Sequence, residues 1–321
     1  DWSSDVCSSD LRSSSGGLRA IWACRLSAMP ATLAAWAASV RFGVPFVFLC
    51  EDVFPEVAVL VEDFRSPMVN AILDRVNRFL VRRARRIVAL GDTMKARLVD
   101  GKGAPPDAVR VIHNWADCSA VVPGPRDNPF SRRHGLVDAF VVLHAGNIGL
   151  SQDLEIVLRA AARLRHRPDI VFVFVGDGAK RATLEALTAE SGLTNVRFLP
   201  FQPRSDMGHS YATADVALIS LRRGLSGVIV PSKLYPILAS GRACVAAVEA
   251  DCEVATIVAS AGCGHVVAPG DDEALSERIV DMADHPDRTR LMGQRARAVA
   301  EQFDRPRQVA AYDALLREVA C

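Results

Sequence analysis

Residues 169–185 read DIVFVFVGDGAKRATLE, in which an apolar run is followed by a turn with two glycines and then by a helical pattern. The run Ile170–Val175 is apolar at every position, as expected of a strand that a parallel sheet buries on both faces. Right-handed crossovers between such strands give a doubly wound α/β domain. Comparable runs, separated by helix-length segments, predict strands at Ala139–Ala145, Asn195–Leu199, Asp215–Ser220, Ala243–Ala247 and Gly264–Val267.

The upstream part of the chain shows the same alternation less regularly. Strands are predicted over Pro45–Cys50, Arg86–Leu90 and Val109–Ile112, and Asp92 is placed to cap the helix TMKARLV. The stretch VVPGPRDNPFSRRHG (121–135) contains three prolines and is interpreted as an interdomain linker.

The two ends of the chain are interpreted separately. DWSSDVCSSDL (1–11) has no periodicity and resembles a translated sequencing adapter, so we expect it to be non-native and the natural N-terminus to be missing. Two helices are predicted over Pro286–Gln302 and Pro306–Val319, the second with an apolar stripe that must pack on something. The predicted domains are a partial N-terminal one over 12–125, a C-terminal one over 126–303 and a final helix over 304–321.

The composition excludes several classes of partner and compartment. With 321 residues, half of them hydrophobic and 23% charged, the chain is long enough for two ordinary globular domains. A net charge of +1 provides no whole-molecule attraction to nucleic acid. The eight cysteines form no C-x-x-C pair and are interpreted as free thiols in a reducing compartment. No secretory signal is visible and Leu26–Val40 is too short to span a bilayer, so the prediction is a cytoplasmic protein.

The first of three notable strand-to-helix turns is HAGNIGLSQDLE (144–155). Ligands of doubly wound sheets bind at the carboxyl ends of the strands, where such turns lie. Gly146 and Gly149, on either side of Asn147, would allow the backbone to approach a ligand. A plain connecting turn would have the same sequence features, so both interpretations stay open.

The second turn is VGDGAKRATLE (175–185), which contains part of a dinucleotide fingerprint in Gly176 and Gly178. Arg181 occupies the place of the third glycine, so the pattern is a poor match for NAD binding. Lys180 could meet a phosphate or could simply be solvated.

The third turn is GLSGVIVPSKLYPILASG (224–241). Ser232 is a natural N-cap, and Lys233 would then lie in the first turn of a helix, where the helix dipole opposes a cation. A bound anion would reverse that balance, because free N–H groups and an ammonium would converge on it. The pattern favours a phosphate site.

Several site classes are missing from the sequence, while one basic cluster stands out. No D-x-D, H-E-x-x-H or cysteine pair is present, so no metal site is predicted, and G-x-S-x-G and Walker A motifs are also missing. Between Arg75 and Arg97 there are eight Lys or Arg residues against one acid, interleaved with apolar residues. This segment is either a solvated helix face or a surface for anionic lipid or a phosphate-linked acceptor.

Taken together, GNIGLSQDLE, VGDGAKRATLE, NVRFLPFQPR, ADVALISL and VPSKLYPILASGR resemble the retaining glycosyltransferases of family four. PFVFLCEDVFPE and VIHNWAD are similar to the branch that builds bacterial exopolysaccharide and O-antigen, of the colanic-acid fucosyl- and fucosaminyl-transferase type. The resemblance covers residues 20–321. It implies the GT-B fold, with two facing Rossmann-like, doubly wound parallel-sheet domains, the N-terminal one incomplete here.

The resemblance also implies roles for residues that match the family's motifs. Residues near the donor pyrophosphate would be Gly146, Asn147 and Gly149. The turn beginning Phe201–Gln202 would hold the base, Ser232 and Lys233 would bind phosphate, and Glu253 would lie near the donor sugar. No catalytic residue is identified, and the candidates are Glu51, Asp52 and Glu253, the first two lying where the family has a histidine.

Departures from the family pattern shift some contacts. Asn147 and Gln152 stand where many members have Arg and Lys, and Val228 and Pro236 replace the two carboxylates of the E-x₇-E motif. Phosphate neutralisation would then depend mainly on Lys233.

The implied function is transfer of a sugar from a nucleotide-sugar, expected to be a UDP-sugar, to a lipid-linked or saccharide acceptor in cell-surface polysaccharide synthesis. Retaining members are thought to use a front-face route in which the leaving phosphate accepts the acceptor's proton, so catalysis depends on positioning and electrostatics. No cofactor is expected beyond the donor, which is a substrate. The alternatives are a nucleotide-sugar epimerase of similar architecture and an inactive, truncated sugar-nucleotide binder. As given, the chain is expected to bind nucleotide weakly and to transfer no sugar.

Overall fold

The computed structural model describes residues 19–24, 29–60, 66–203 and 206–320, so the segment expected to be non-native lies outside it. The chain divides into two units. The first holds the described residues up to His113 together with 227–230 and 309–320, and the second holds 114–226 and 231–308. The division follows His113, whereas the sequence placed it after residue 125.

A four-stranded parallel sheet in the order β1-β2-β3-β4 forms the centre of the first unit. All five residues of β2 are buried, and Phe48 of β2 is in register with Ile87 of β3. This is consistent with the apolar run PFVFLC. The strands are β1 Ile21–Cys24, β2 Phe46–Cys50, β3 Arg86–Ala89 and β4 Val109–Val111, and the helices are α1 Met29–Phe42, α2 Glu56–Leu60, α3 Pro67–Arg83 and α4 Asp92–Ala96.

A buried lysine ties the helices of the first unit together. Lys102 is completely buried, and its Nζ lies 2.7 Å from Glu56 Oε1 at the start of α2 and 2.6 Å from Asp74 Oδ1 in α3. Because each partner carries a carboxylate, the buried cation is compensated.

Asp92 does not cap α4 as predicted. The helix begins at Asp92 itself, the preceding Gly91 is the cap residue, and no side chain closes the cap. The carboxylate therefore lies in the first helical turn, where it complements the helix dipole. The remainder of the predicted helix is a π-helical turn, Arg97–Gly101.

The second unit contains a six-stranded parallel sheet in the order β10-β9-β8-β5-β6-β7. The α/β class is confirmed, and the predicted strands are present with ends that agree within one residue. Its core joins the apolar sides of the strands to the helices that follow β5, β6 and β10. The strands are β5 Phe140–Ala145, β6 Ile170–Val175, β7 Val196–Leu199, β8 Val216–Ser220, β9 Ala243–Ala247 and β10 Gly264–Val267.

The helices of the second unit are α5 Pro129–Arg133, α6 Glu155–Arg163, α7 Arg181–Glu190, α8 Met207–Thr213, α9 Leu234–Ala239, α10 Glu253–Ala261, α11 Asp272–Asp284 and α12 Pro286–Ala300, followed by α13 Arg305–Ala320. Residues 309–320 of α13 belong to the first unit, where Glu318 pairs with Arg86 of β3. Across the described residues, no helix is both long and apolar enough to cross a membrane.

The stretch 121–135, interpreted as a linker, is a folded part of the second unit. The Asn128 side chain accepts hydrogen bonds from the backbone N–H groups of Phe130 and Ser131 and caps α5. Its Nδ2 donates to Thr213 Oγ1 in α8 over 3.0 Å. Two of the prolines precede a short capped helix and the third, Pro129, is its first residue, which is why the sequence suggested a linker.

Candidate functional site

The strand order of the second unit places a crevice at the carboxyl ends of β5 and β8. The chain continues from β5 to β6 on one side, while β8 lies on the other, so this is the topological switch point at which doubly wound sheets bind ligands. The segments that follow the two strands meet there, because the Arg222 N–H donates to the Ser151 carbonyl over 2.9 Å. The first and third turns singled out in the sequence therefore lie side by side.

Lys233 supplies the positive charge at this crevice. Its Nζ lies 3.3 Å from Nε2 of His144 in β5, and no carboxylate of the described residues forms an ion pair with it. Burial without a counter-ion lowers the pKa of Lys233 to about 7. An anion bound here would restore the charged form, so Lys233 is a candidate ligand for an anion.

The position of Lys233 differs from the sequence prediction. Helix α9 begins at Leu234, Lys233 is its cap residue, and no side chain caps it, so Ser232 is not the N-cap. The Leu234 N–H bonds to the Pro231 carbonyl instead, in a tight turn that precedes the helix. Ser232 lies in that turn with its side chain exposed.

The first turn borders the crevice through Gly146. This glycine has a φ of +123°, and no atom lies within 4 Å of the place where its Cβ would be, so its backbone is accessible. The Gly149 N–H donates to Gln152 Oε1 over 2.9 Å, which closes the turn. Asn147 directs its carbonyl oxygen to within 3.3 Å of His144 Nε2.

The glycines of the second turn are explained by contact between turns. A Cβ on Gly176 would overlap the carbonyl oxygen of Gly146, and one on Gly178 would overlap that of Ile148. Both glycines also have positive φ angles, +148° and +154°. Packing against the first turn is therefore sufficient to require glycine at both positions.

Lys180 is engaged in an ion pair. Its Nζ lies 2.7 Å from Glu155 Oε1, the first residue of α6. The sequence offered a phosphate ligand or a solvated lysine, and the structure places a carboxylate beside it.

The remaining predicted donor residues lie around the same sheet. Phe201 and Gln202 follow β7, with Phe201 exposed and Gln202 Nε2 donating to the Pro200 carbonyl over 2.8 Å. Glu253 is the first residue of α10, after β9, and is buried.

Glu51 and Asp52 belong to the first unit and follow β2. Asp52 forms an antiparallel bridge with Ile229, and the Val53 N–H donates to the Val228 carbonyl over 2.8 Å. Val228 is buried, which explains an apolar residue at one of the E-x₇-E positions. Pro236, at the other, is buried within α9.

Two residues that the sequence analysis did not single out belong to the site of the second unit. His144 was quoted only as the start of a motif, yet its ring contacts Lys233. Glu249, after β9, accepts hydrogen bonds from the N–H groups of Gly224 and Ser226 through Oε2, each over 3.0 Å. The sequence did contain a signal for Glu249. The residue follows a predicted strand by two positions, and such positions lie at the ligand-binding end of the sheet.

The described ranges contain no group of three or more His, Cys, Asp or Glu residues that could hold a metal ion.

Comparison with known proteins identifies the family. The family model for glycosyl transferases group 1 matches residues 128–299, more than half of the chain. The chain belongs to the group 1 glycosyl transferases. A second model, a glycosyl transferase 4-like domain, matches residues 22–115. The family-level resemblance seen in the sequence motifs is confirmed.

Curated relatives support the same branch of the group 1 glycosyl transferases. The chain is 32% identical over 241 residues to a probable glycosyltransferase, WbjE, of Pseudomonas aeruginosa, covering 74% of this chain and 60% of that protein. It is 37% identical over 136 residues to the putative colanic acid biosynthesis glycosyl transferase WcaI of Escherichia coli, covering 42% and 33%. The chain thus spans 60% or less of the length of these two relatives.

Solved structures share the fold. A protein of Anabaena, HepE, in complex with UDP superposes with a TM-score of 0.79 at 20% identity, over 93% of this chain and 78% of that one. WaaG, a glycosyltransferase of lipopolysaccharide biosynthesis, superposes with a TM-score of 0.68 at 20% identity, over 88% and 82%.

Proposed function

We propose that this protein transfers a sugar from a nucleotide-sugar donor, a UDP-sugar, to a lipid-linked or saccharide acceptor during synthesis of a cell-surface polysaccharide. The reaction takes place in the cytoplasm, needs no protein-bound metal and retains the anomeric configuration. The donor diphosphate binds at the crevice between β5 and β8.

The uncompensated ammonium of Lys233 is the observation that carries the proposal. Lys233 is half-buried, and a desolvated cation without a carboxylate is costly unless an anion completes it. The accessible backbone of Gly146 lies at the neighbouring strand end and offers room for a phosphate beside that charge. A diphosphate fits this combination of one charge and exposed backbone.

The chemistry of transfer follows from the same arrangement. Breaking the glycosidic bond to a diphosphate leaves negative charge on the departing oxygen, which a nearby ammonium stabilises. In a front-face retaining reaction the leaving phosphate takes the acceptor's proton, so the protein must chiefly position the reactants. The ammonium of Lys233 offsets part of the diphosphate charge, and we assign the rest to backbone N–H groups of the turns rather than to a divalent cation.

Family membership and the activities described for relatives support the choice of substrates. WcaI is described as a colanic acid biosynthesis enzyme, and HepE has been crystallised with UDP, with UDP and glucose, and with UDP-glucose. We therefore assign uridine as the base and a polysaccharide precursor as the acceptor.

Calorimetric titration with UDP, with and without EDTA, tests donor binding. We expect UDP to bind in both conditions, and a strict requirement for Mg²⁺ or Mn²⁺ would contradict metal independence. Incubation with UDP-sugars labelled in the sugar then tests the reaction class. Label transferred to lipid or saccharide supports a transferase, whereas label that stays on the nucleotide as an epimer would contradict it.

The surface of helix α3 bears on where the acceptor binds. Helix α3 exposes Met68 (72% exposed) and Ile72 (57%), with Arg82 and Arg83 exposed near its C-terminus. The Arg83 guanidinium lies 5.4 Å from the centroid of the Phe79 ring. We call these five residues the basic-apolar face and propose that it contacts anionic membrane lipid, where a lipid-linked acceptor would reside.

The basic cluster predicted between Arg75 and Arg97 contributes to this face only in part. Arg78 is paired with Asp74 over 2.6 Å, and Arg86 is paired with Glu318. Arginines with carboxylate partners have less charge to offer a lipid headgroup. The face is therefore centred on α3.

Vesicle flotation tests the membrane proposal. With vesicles rich in phosphatidylglycerol, we expect binding at low salt that falls at high salt, and loss of binding in Arg82→Glu/Arg83→Glu. The matched control is Arg132→Glu/Arg133→Glu, an adjacent exposed pair at the end of α5. Binding that is insensitive to salt, or lost equally in both double variants, would contradict the proposal.

A further inference from the structure

His144 is a buried polar residue of the site that the proposed reaction has not yet used. It is completely buried at the carboxyl end of β5, and the ring of Phe174 in β6 packs near it, tilted by 43°, with centroids 5.8 Å apart. Its Nε2 lies 3.3 Å from Lys233 Nζ and 3.3 Å from the Asn147 carbonyl oxygen. Within the described ranges, Nδ1 has no hydrogen-bond partner. A buried imidazole with one orphaned nitrogen requires an explanation.

The imidazole is neutral. Burial, and then the charge of Lys233, hold the pKa of His144 well below its ordinary value. Lys233 is the charged group that acts on the ring. A neutral imidazole has one N–H donor and one acceptor nitrogen, so one of the two can accept from the ammonium.

Nε2 can bond only one of its two neighbours. To bond the Asn147 carbonyl it must carry the proton, whereas to bond the Lys233 ammonium it must present its lone pair. A hydrogen bond from a charged donor is the stronger of the two. With Nε2 accepting from Lys233, the imidazole proton resides on Nδ1, whose N–H then has no acceptor among the described residues.

We propose that His144 is a positioning residue for Lys233, whose ammonium it aims at the donor diphosphate through a hydrogen bond accepted by Nε2. This inference rests on the proposed function, since it takes a diphosphate as the anion that Lys233 meets.

The chemistry of the pair explains why an imidazole suits this position. A lysine has a flexible four-carbon stem, and fixing it before binding reduces the entropy lost when the anion arrives. A carboxylate could fix it equally well but would neutralise the ammonium that the phosphate needs. A neutral acceptor holds the side chain and leaves its full charge for the ligand.

Two substitutions separate the hydrogen bond from the packing of the ring. His144→Phe keeps an aromatic ring beside Phe174 but removes both nitrogens. His144→Gln places an amide oxygen within reach of Lys233. We expect His144→Phe to weaken UDP binding about tenfold, and His144→Gln to remain within about threefold of the parent protein.

Proton uptake provides a readout that a purely structural role would not change. Titrations with UDP at pH 7 in two buffers of different ionisation enthalpy give the number of protons taken up on binding. The parent protein should take up about half a proton, because the Lys233 pKa near 7 rises when the phosphate binds. Without its acceptor, Lys233 in His144→Phe should be less protonated before binding, so the uptake should approach one.

Phe174→Leu is the matched control, because it disturbs the packing around the imidazole and leaves both nitrogens in place. It should lower the melting temperature but leave the affinity of the folded protein and the proton count unchanged. Equal affinity and proton count in His144→Phe and the parent would overturn the inference, as would a His144→Gln variant as weak as His144→Phe. Failure of the parent protein itself to bind UDP would contradict the proposed function instead.

Discussion

Lys180 and Glu155 form an ion pair, with Nζ 2.7 Å from Oε1, that links the turn after β6 to the first residue of α6. Burial is the largest single effect and favours the protonated form of Glu155, but the hydrogen bond and charge of Lys180, a backbone hydrogen bond and the charge of Arg159 together lower the pKa of the carboxyl. The pair matters for function because it distinguishes two lysines that the sequence treated as similar. Lys180 already has a carboxylate, whereas Lys233 has none among the described residues.

Replacing each lysine with methionine should therefore give different results. Lys233→Met should weaken UDP binding by about 1.5–3 kcal/mol, the usual contribution of a hydrogen bond to a charged group. Lys180→Met should change UDP binding by less than about 0.5 kcal/mol, because the Lys180 ammonium already pairs with the Glu155 carboxylate. Calorimetric titration of both variants measures the difference, with circular dichroism as the control for folding. Equal losses in the two variants would place Lys180 at the phosphate as well.

Lys233 should also make stability depend on pH. Its pKa is about 7 in the folded protein and 10.5 ordinarily, so between these values the unfolded chain binds more protons. Stability from this group therefore rises with pH above about 7, by at most about 1.4 kcal/mol per pH unit, and is flat below it. We expect denaturant unfolding between pH 6.5 and 9 to show that the free energy of unfolding of the parent protein increases with pH relative to that of Lys233→Met. If the free energies of unfolding of the two proteins changed with pH in parallel, the pKa of Lys233 would not be lowered in the folded protein.

UDP affinity should change with pH in the opposite sense. Above pH 7 the ammonium must regain a proton to bind phosphate, so affinity should fall by up to about tenfold per pH unit. Calorimetry at pH 7, 8 and 9 measures this, and Lys233→Met should lose the dependence. A parent affinity that rises with pH would contradict the prediction.

Gly176→Ala should destabilise the second unit. The new Cβ would overlap the Gly146 carbonyl oxygen, and the φ of +148° is strained for alanine. We expect a loss of about 2–4 kcal/mol, measured by denaturant unfolding. Gly208→Ala in α8 is the control, since no atom lies within 4 Å of its Cβ position and alanine favours a helix. If both variants lost the same free energy of unfolding, the close contact between Gly176 and the Gly146 carbonyl would not be what destabilises Gly176→Ala.

Glu249→Ala should loosen the segment before Lys233. The carboxylate accepts from the Gly224 and Ser226 N–H groups, and its removal leaves both without that partner. We expect faster hydrogen exchange at these two amides and weaker UDP binding by about 1–2 kcal/mol. Glu277→Ala, an exposed acid on α11, is the control. Unchanged exchange at Gly224 would contradict a holding role for Glu249.

The parallel sheet of the second unit could be predicted from the sequence because most positions of its strands are apolar. Ile170–Val175, Ala243–Ala247 and Gly264–Val267 agree with the structure at both ends. Such runs satisfy one requirement, burial on both faces, that is visible residue by residue. The prolines of 121–135 were wrongly interpreted as a linker, since Pro129 starts a short helix that Asn128 caps, and the hydrogen bond from Asn128 to Thr213 depends on the tertiary structure.

The site could be predicted less completely, because its key relationships join residues far apart in the chain. Lys233 was identified from its place in a motif, but its lack of a counter-ion depends on what surrounds it in space. His144 reads as one more strand residue until β8 and its loop are placed beside β5. Gly176 reads as a ligand glycine, although the Gly146 carbonyl is enough to explain it.

The four residues 227–230 have a consequence for dissecting the protein. They belong to the first unit, although the chain on both sides belongs to the second, so the polypeptide passes from one unit to the other at 113, 226, 230 and 308. A fragment limited to 114–308 would keep Val228 and Ile229 but lose the backbone partners that Val53 and Asp52 provide. A single cut therefore cannot yield two self-sufficient pieces, and expression of the second unit alone calls for a short loop in place of 227–230.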